Sequence, residues 1–294
     1  MICHPRIWTV TVAVLALLLW HGARDGASAE SVAPKAGGPT CNRADFRVVI
    51  DVGHTAKVPG AKSARGKDEF DFNLRLAKRI EHKLIEAGFE KTTLLITDGA
   101  AHKSLVQRVA RANKSSPDLF LSIHHDSVPD SFLQKWQFEG KEHGYCDRFK
   151  GHSIFVSHYN GDFGGSLAFA RLLGIQLKAR GLQYTPHYTE KFMGHRQRQL
   201  VDPEAGVYRY DQLIVLKDTR MPAVLLEAGS IINRDEELLL ESPQRQSLIS
   251  AAVSDAVDRY CVARKPKNSD RIAHQPGHAA PPSKLLIAPA AMVR

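Results

Sequence analysis

The feature that most constrains this chain is an alternation. Short β-branched or apolar runs take turns with longer stretches whose apolar residues recur every three to four positions. VVI (48–50) reads as a strand ending at Asp51, and Glu69 to Ala87 as an amphipathic helix stopped by Gly88, with Leu74, Ala77, Ile80 and Leu84 on one face. TTLLIT (92–97) is a second strand. Ser104 with Gln107 suggests a capping box opening a helix that carries Leu105, Val109 and Ala112. DLFLSIHHD (118–126), SIFVS (153–157), QLIVLK (212–217) and PAVLLEAG (222–229) read as further strands, and 166–180 and 247–260 as helices. Strand and helix in turn imply an α/β fold: a single three-layer α/β/α domain with a mostly parallel twisted sheet flanked by helices.

In such sheets, reactive groups gather where strands end and loops begin. Four polar side chains stand at such places. His54 follows the first strand, Glu69 opens the first long helix, His124 ends LFLSIHHD, and Glu227 ends AVLLEAG. Any one of them has a bland explanation, such as a turn residue, a helix-dipole partner or a salt-bridged strand end. Together they place two imidazoles and two carboxylates on one rim. Two histidines and a carboxylate are a set that holds catalytic Zn²⁺ with a position open to water, and a second carboxylate then has a proton to carry. Metal and base together point to hydrolysis. His125 is excluded from the set, because adjacent strand residues face opposite ways.

The ends differ from this body. Arg6, the apolar run IWTVTVAVLALLLW and Ala27-Ser28-Ala29 predict a secretory signal peptide over residues 1–29, too short in its apolar run for a spanning helix. A flexible segment is expected over 30–40, the folded domain over 41–263 and a disordered basic tail over 264–294. Most of the formal charge of +9 belongs to that tail, leaving no dense basic face or motif for nucleic acid on the domain. Stable membrane insertion after cleavage of the leader is likewise not expected. The mature chain keeps Cys41, Cys146 and Cys261, an odd number in an oxidising compartment. A Cys41–Cys261 bridge would close the two ends of the domain; Cys41–Cys146 and no bridge are the alternatives.

VVIDVGHTAKVPGA, GKDEFDFNLRLAKRI, LVQRVARANKSSPDLFLSIHHDS and LKDTRMPAVLLEAGSIINRDEE, in that order, resemble the signature segments of the zinc-dependent N-acetylmuramoyl-L-alanine amidases of the kind that split daughter cells. The resemblance runs from about Phe46 to Tyr260. It implies His54, Glu69 and His124 as ligands of one Zn²⁺ and Glu227 as the catalytic residue. The substrate it implies is peptidoglycan, cut at the amide between N-acetylmuramic acid and L-alanine, and the implied location is the periplasm, after secretion across the inner membrane.

Two stretches depart from the pattern. Residues 128–152 carry Trp136, Phe138 and Tyr145, which suit either stacking on sugar rings or a small packed hairpin. Residues 183–211 lie where related division amidases carry a segment that covers the site until an activator protein draws it away. By that resemblance, Glu190 or His187 would occupy the metal's open position. Two other readings remain beside the leading one: a zinc peptidase or deacetylase on another wall polymer, and a non-catalytic or regulatory wall-binding relative.

Overall fold

The computed structural model describes residues 40–264. The expected leader, nearly all of the 30–40 segment and the tail past Arg264 lie outside the described residues. In chain order the elements are β1 (Val48–Val52), α1 (Glu69–Glu86), β2 (Thr92–Leu95), α2 (Ala101–Ser115), β3 (Leu119–Asp126), β4 (Gln134–Phe138), β5 (Lys141–Tyr145) and β6 (Ser153–Val156). They continue with α3 (Phe163–Ala179), β7 (Gln199–Asp202), β8 (Val207–Arg209), α4 (Ile214–Lys217), β9 (Ala223–Ser230), α5 (Arg234–Glu241) and α6 (Pro243–Ala263).

Seven strands form one mixed sheet in the order β2-β1-β3-β9-β6-β8-β7, with β4 and β5 as a separate hairpin. β2, β1, β3 and β9 are mutually parallel, whereas β6 meets β9 and β7 meets β8 antiparallel. All five residues of β1 are buried, as a central parallel strand covered on both faces requires. On one face α1, α3 and α6 bury Ile80, Leu84, Leu173 and Val253 against Ile50, Leu121 and Val224. Each such side chain contributes about 1.5–3 kcal/mol by leaving water. The other face is covered by α2, α4 and residues of the 183–211 stretch, where Tyr188 and Met193 pack with Phe120, Phe155, Tyr208 and Leu225. The expected three-layer α/β/α architecture is what the chain adopts.

Some local expectations are corrected. QLIVLK is not a strand: the carbonyl of Leu213 accepts from the backbone N–H of both Leu216 and Lys217 at 3.0 Å, closing the turn of α4. That turn buries Val215 and Leu216, and the place beside β6 goes to β8 instead. Ser104 is no cap either. α2 starts a turn earlier, after Ala100, and the Ser104 hydroxyl donates back to Ala101 O at 2.8 Å. α5, absent from the sequence reading, is opened by Asn233, whose side chain accepts from the N–H groups of Asp235 and Glu236 at 3.1 and 3.0 Å.

Of the cysteine alternatives, Cys41–Cys261 is the pair formed, with a Cα–Cα distance of 5.2 Å across a sequence separation of 220. Cys146 is free and buried. Among the described residues no helix is long and apolar enough to cross a membrane.

Candidate active site

β1, β3 and β9 point their C-terminal ends to one rim, and three of the four singled-out residues sit directly there. The chain leaves β1 through Gly53 into His54, whose φ of 65° lies in the left-handed region that a non-glycine residue occupies at a cost of about 1–3 kcal/mol. Arg108 holds it there. Its guanidinium donates to the His54 carbonyl and, at 3.0 Å, to Thr97 Oγ1, and lies 3.5 Å from Asp51 Oδ2. The side chains of Arg108 and Asp51 are both fully enclosed, and burial, against the pull of Arg108 and the Ser122 hydroxyl, pushes the Asp51 carboxyl up to about 6.

Glu69 is the first residue of α1, and its carboxylate spans the two imidazoles. Oε2 lies 3.0 Å from His54 Nε2 and Oε1 lies 3.1 Å from His124 Nδ1. One ligand atom from each of the three falls within 4.8 Å of the others. Burial pushes the Glu69 carboxyl upward, but the hydrogen bonds from His124 and His54 more than offset it, so it stays well below the usual range. Burial also lowers the His124 imidazole, favouring the neutral form that can ligate a metal. Two glycines leave room for this set. A Cβ on Gly53 would stand 2.4 Å from His124 Nε2, and one on Gly60 2.4 Å from Glu69 Oε2 and 2.7 Å from the His54 ring.

Asn73, one helical turn after Glu69, was not singled out from sequence. It is fully buried, its amide donating to Glu69 Oε1 at 3.1 Å and to Gly53 O at 3.3 Å, while its oxygen meets His125 Nδ1 at 2.8 Å. His125 therefore faces Asn73 and the Phe72 ring and is not part of the three-residue set. Burial drives it down to about 3. The two imidazoles, the carboxylate and the space kept by Gly53 and Gly60 fit a divalent cation of the zinc type with a position left for a non-protein ligand.

Glu227 is the register partner of His124 across the β3–β9 pair and of Ser153 across β6–β9. Its Oε2 is enclosed and has no hydrogen-bond partner. Burial, then the negative charges of Asp126 and Glu69, raise its carboxyl well above the ordinary value, with Arg196 opposing. Such a group takes up a proton readily.

The long stretch before α4 reaches the same rim. Tyr188 donates to Asp126 Oδ1 at 2.8 Å and Arg196 to Ser127 O at 2.9 Å. Glu190 is exposed. His187 is buried, with Nδ1 2.6 Å from Thr185 Oγ1 and Nε2 3.8 Å from Asp126 Oδ2. Neither joins the three-residue set, so the expectation that one of them fills its open position is not met. What the stretch presents there is Tyr188 and Arg196. The aromatic residues of the hairpin are also committed. Trp136 donates to Ala64 O at 2.8 Å, and the guanidinium groups of Arg65 and Arg234 lie over its ring at 5.3 and 5.2 Å. These contacts are those of a packed hairpin.

Fold and rim together define the class: a hydrolase with an α/β/α domain, its polar centre at the strand ends. The chain belongs to the N-acetylmuramoyl-L-alanine amidase family, whose model matches residues 48–259. It is 24% identical over 225 residues to the germination-specific N-acetylmuramoyl-L-alanine amidase of Bacillus subtilis, covering 72% of this chain and 78% of the relative. Among solved structures it resembles the amidase Ami1 of Mycobacterium smegmatis with a TM-score of 0.57 at 18% identity, over 78% of this chain and all of the other. It also resembles CwlD of Clostridioides difficile, solved in complex with the GerS lipoprotein, with a TM-score of 0.53 at 21% identity, over 74% of this chain and 98% of the other. At those identities the structural likenesses speak for the fold.

Proposed function

We propose that the chain is a zinc-dependent amidase of the periplasm that cuts peptidoglycan between the lactyl group of N-acetylmuramic acid and L-alanine. His54, Glu69 and His124 would hold the metal and Glu227 would carry the proton. The observation that carries this reading is the meeting of those three ligand atoms within 4.8 Å, with a carboxylate that has one oxygen enclosed in register with His124. Zinc, when bound, supplies Lewis acidity toward a carbonyl oxygen and water. The chain's own residues do the rest. Glu227, which as the ionised carboxylate is a stronger base than an ordinary one, takes a proton from the attacking water and returns it to the alanine nitrogen as the amide C–N bond breaks. Asn73 holds the Glu69 carboxylate through Oε1, and Arg108 fixes the His54 backbone, so neither ligand has to be ordered on binding.

The test combines metal analysis with mass spectrometry of digested muropeptides. Wild-type protein should release stem peptides beginning with L-alanine, and Glu227→Gln should retain zinc while losing turnover. Loss of acetate alone would favour a deacetylase, and wall binding without hydrolysis by the zinc-loaded protein a non-catalytic relative.

A role in daughter-cell separation, with the inserted stretch restraining the site until an activator protein engages it, is the finer part of this proposal. It is supported by the stretch's contacts beside the third ligand and by the GerS complex of the CwlD relative. Tyr188 and Met193 are core residues, so engagement must loosen packing rather than lift a free flap. Tyr188→Phe keeps the ring and removes the hydroxyl's bond to Asp126; it should raise turnover without a partner. Unchanged or lower turnover by a folded variant would count against restraint.

A further inference from the structure

We propose that Arg196 is a carboxylate-binding specificity residue of the active site, its guanidinium fork turned toward an acid group borne by substrate or product. This rests on the amidase reading. Arg196 is anchored on one side: Nη2 donates to Ser127 O at 2.9 Å and stands 3.6 Å from Asp126 Oδ1, and the Tyr188 hydroxyl is a further partner of the guanidinium. Asp126 Oδ1 already accepts from Tyr188 Oη and from Ser127 N, each at 2.8 Å. The Arg196–Asp126 pair is therefore loose. Among the described residues, Nη1 and Nε of Arg196 donate to no carbonyl or carboxylate, and the side chain remains 40% exposed.

A guanidinium matches a carboxylate through two parallel N–H donors, and here such an edge is left over. Its place is set by the backbone. Ser127 and Asp126 follow the ligand His124 by three and two residues, and the charge of Arg196 is felt at Glu227. Its neighbour Arg198 offers a contrast: that guanidinium lies 3.8 Å over the Tyr210 ring and donates to His195 O and Gln197 O, so it is committed to the segment itself. Arg196 alone of the two presents donors to the rim.

Two acid groups meet this description: a carboxylate on the residue following alanine in the stem peptide, and the lactyl carboxylate that hydrolysis creates on N-acetylmuramic acid. The experiment compares three compounds: N-acetylmuramoyl-alanyl-glutamate with its α-carboxylate free, the same compound with it amidated, and N-acetylmuramic acid. Their affinities are measured by calorimetry on zinc-loaded Glu227→Gln protein and on its Arg196→Gln and Arg196→Lys derivatives, and kcat and KM on the proteins with Glu227 intact. For a stem carboxylate, the free acid should bind about tenfold tighter than the amide, the scale of one charge-assisted pair, and Arg196→Gln should erase that difference through KM rather than kcat. Arg196→Lys, keeping charge without the fork, should fall between. For the lactyl group, N-acetylmuramic acid should weaken about tenfold with Arg196→Gln while amidation has no effect. Affinities within twofold for all three compounds, or an equal loss that includes the amide, overturn the proposal. If the wild type releases no stem peptide, the amidase reading fails, and the binding comparison still decides the role of Arg196.

Discussion

Gly53→Ala isolates the construction of the metal set from its chemistry. The backbone of Gly53 is not left-handed, so alanine is conformationally admissible there. The obstacle is the added methyl carbon, which would stand 2.4, 2.5 and 2.6 Å from Nε2, Cε1 and Cδ2 of His124. Ordinary contact begins near 3.4 Å, so the imidazole must retreat by about 1 Å or β1 must shift. Overpacking of that size costs about 1–3 kcal/mol of stability, and misplacing a ligand or its support typically costs about 10–100-fold in metal affinity. The assay is competition for zinc with a chromophoric chelator alongside a denaturant melt. Gly164→Ala is the control: nothing lies within 4 Å of its added carbon, and in α3 it should be neutral or stabilising by about 0.5–1 kcal/mol. A Gly53→Ala protein that binds zinc as tightly as wild type would refute the account of the rim.

Three further outcomes follow from the same contacts. Asn73→Ala should weaken zinc binding about 10–100-fold in the chelator assay, since it frees the Glu69 carboxylate from its support; unaltered affinity would reduce Asn73 to packing. Replacing both Cys41 and Cys261 by alanine should lower unfolding free energy by about 2–5 kcal/mol in urea titration, through the long loop the bridge closes, and a smaller loss would mean that the helix ends already hold the termini together. His152 is buried and held neutral, its folded value near 4 against about 6.5 unfolded. Its contribution is thus complete above pH 6.5 and lost as the pH falls toward 4, on the order of 3 kcal/mol; His152→Gln should show a correspondingly flatter decline between those limits.

The layered fold was legible because its signals are long: five buried residues in β1 and the apolar face of α1 admit few other readings. The four rim residues were legible as polar groups stranded at the ends of apolar elements. What escaped was decided elsewhere in the chain. QLIVLK is apolar and short enough for either strand or helix, and the competition of β8 for the edge of β6 settles it. The roles of Asn73 and Arg108 depend on partners 20 and 54 residues away, so no local pattern announces them, although an Asn one turn after Glu69 was a usable hint. The part taken by Tyr188 and Arg196 at Asp126 bridges 62 residues to the first and follows from packing of an irregular stretch, for which periodicity offers nothing.

The central claim is that His54, Glu69 and His124 close on one zinc ion while Glu227 stays free to move a proton. Diffraction from crystals of the metal-loaded protein, collected on both sides of the zinc absorption edge, tests it most directly. The account predicts one anomalous peak about 2.0–2.2 Å from a ligand atom of each of those three residues, with Glu227 outside the coordination shell. A peak on other side chains, a peak ligated by Glu227, or none at this rim would contradict it.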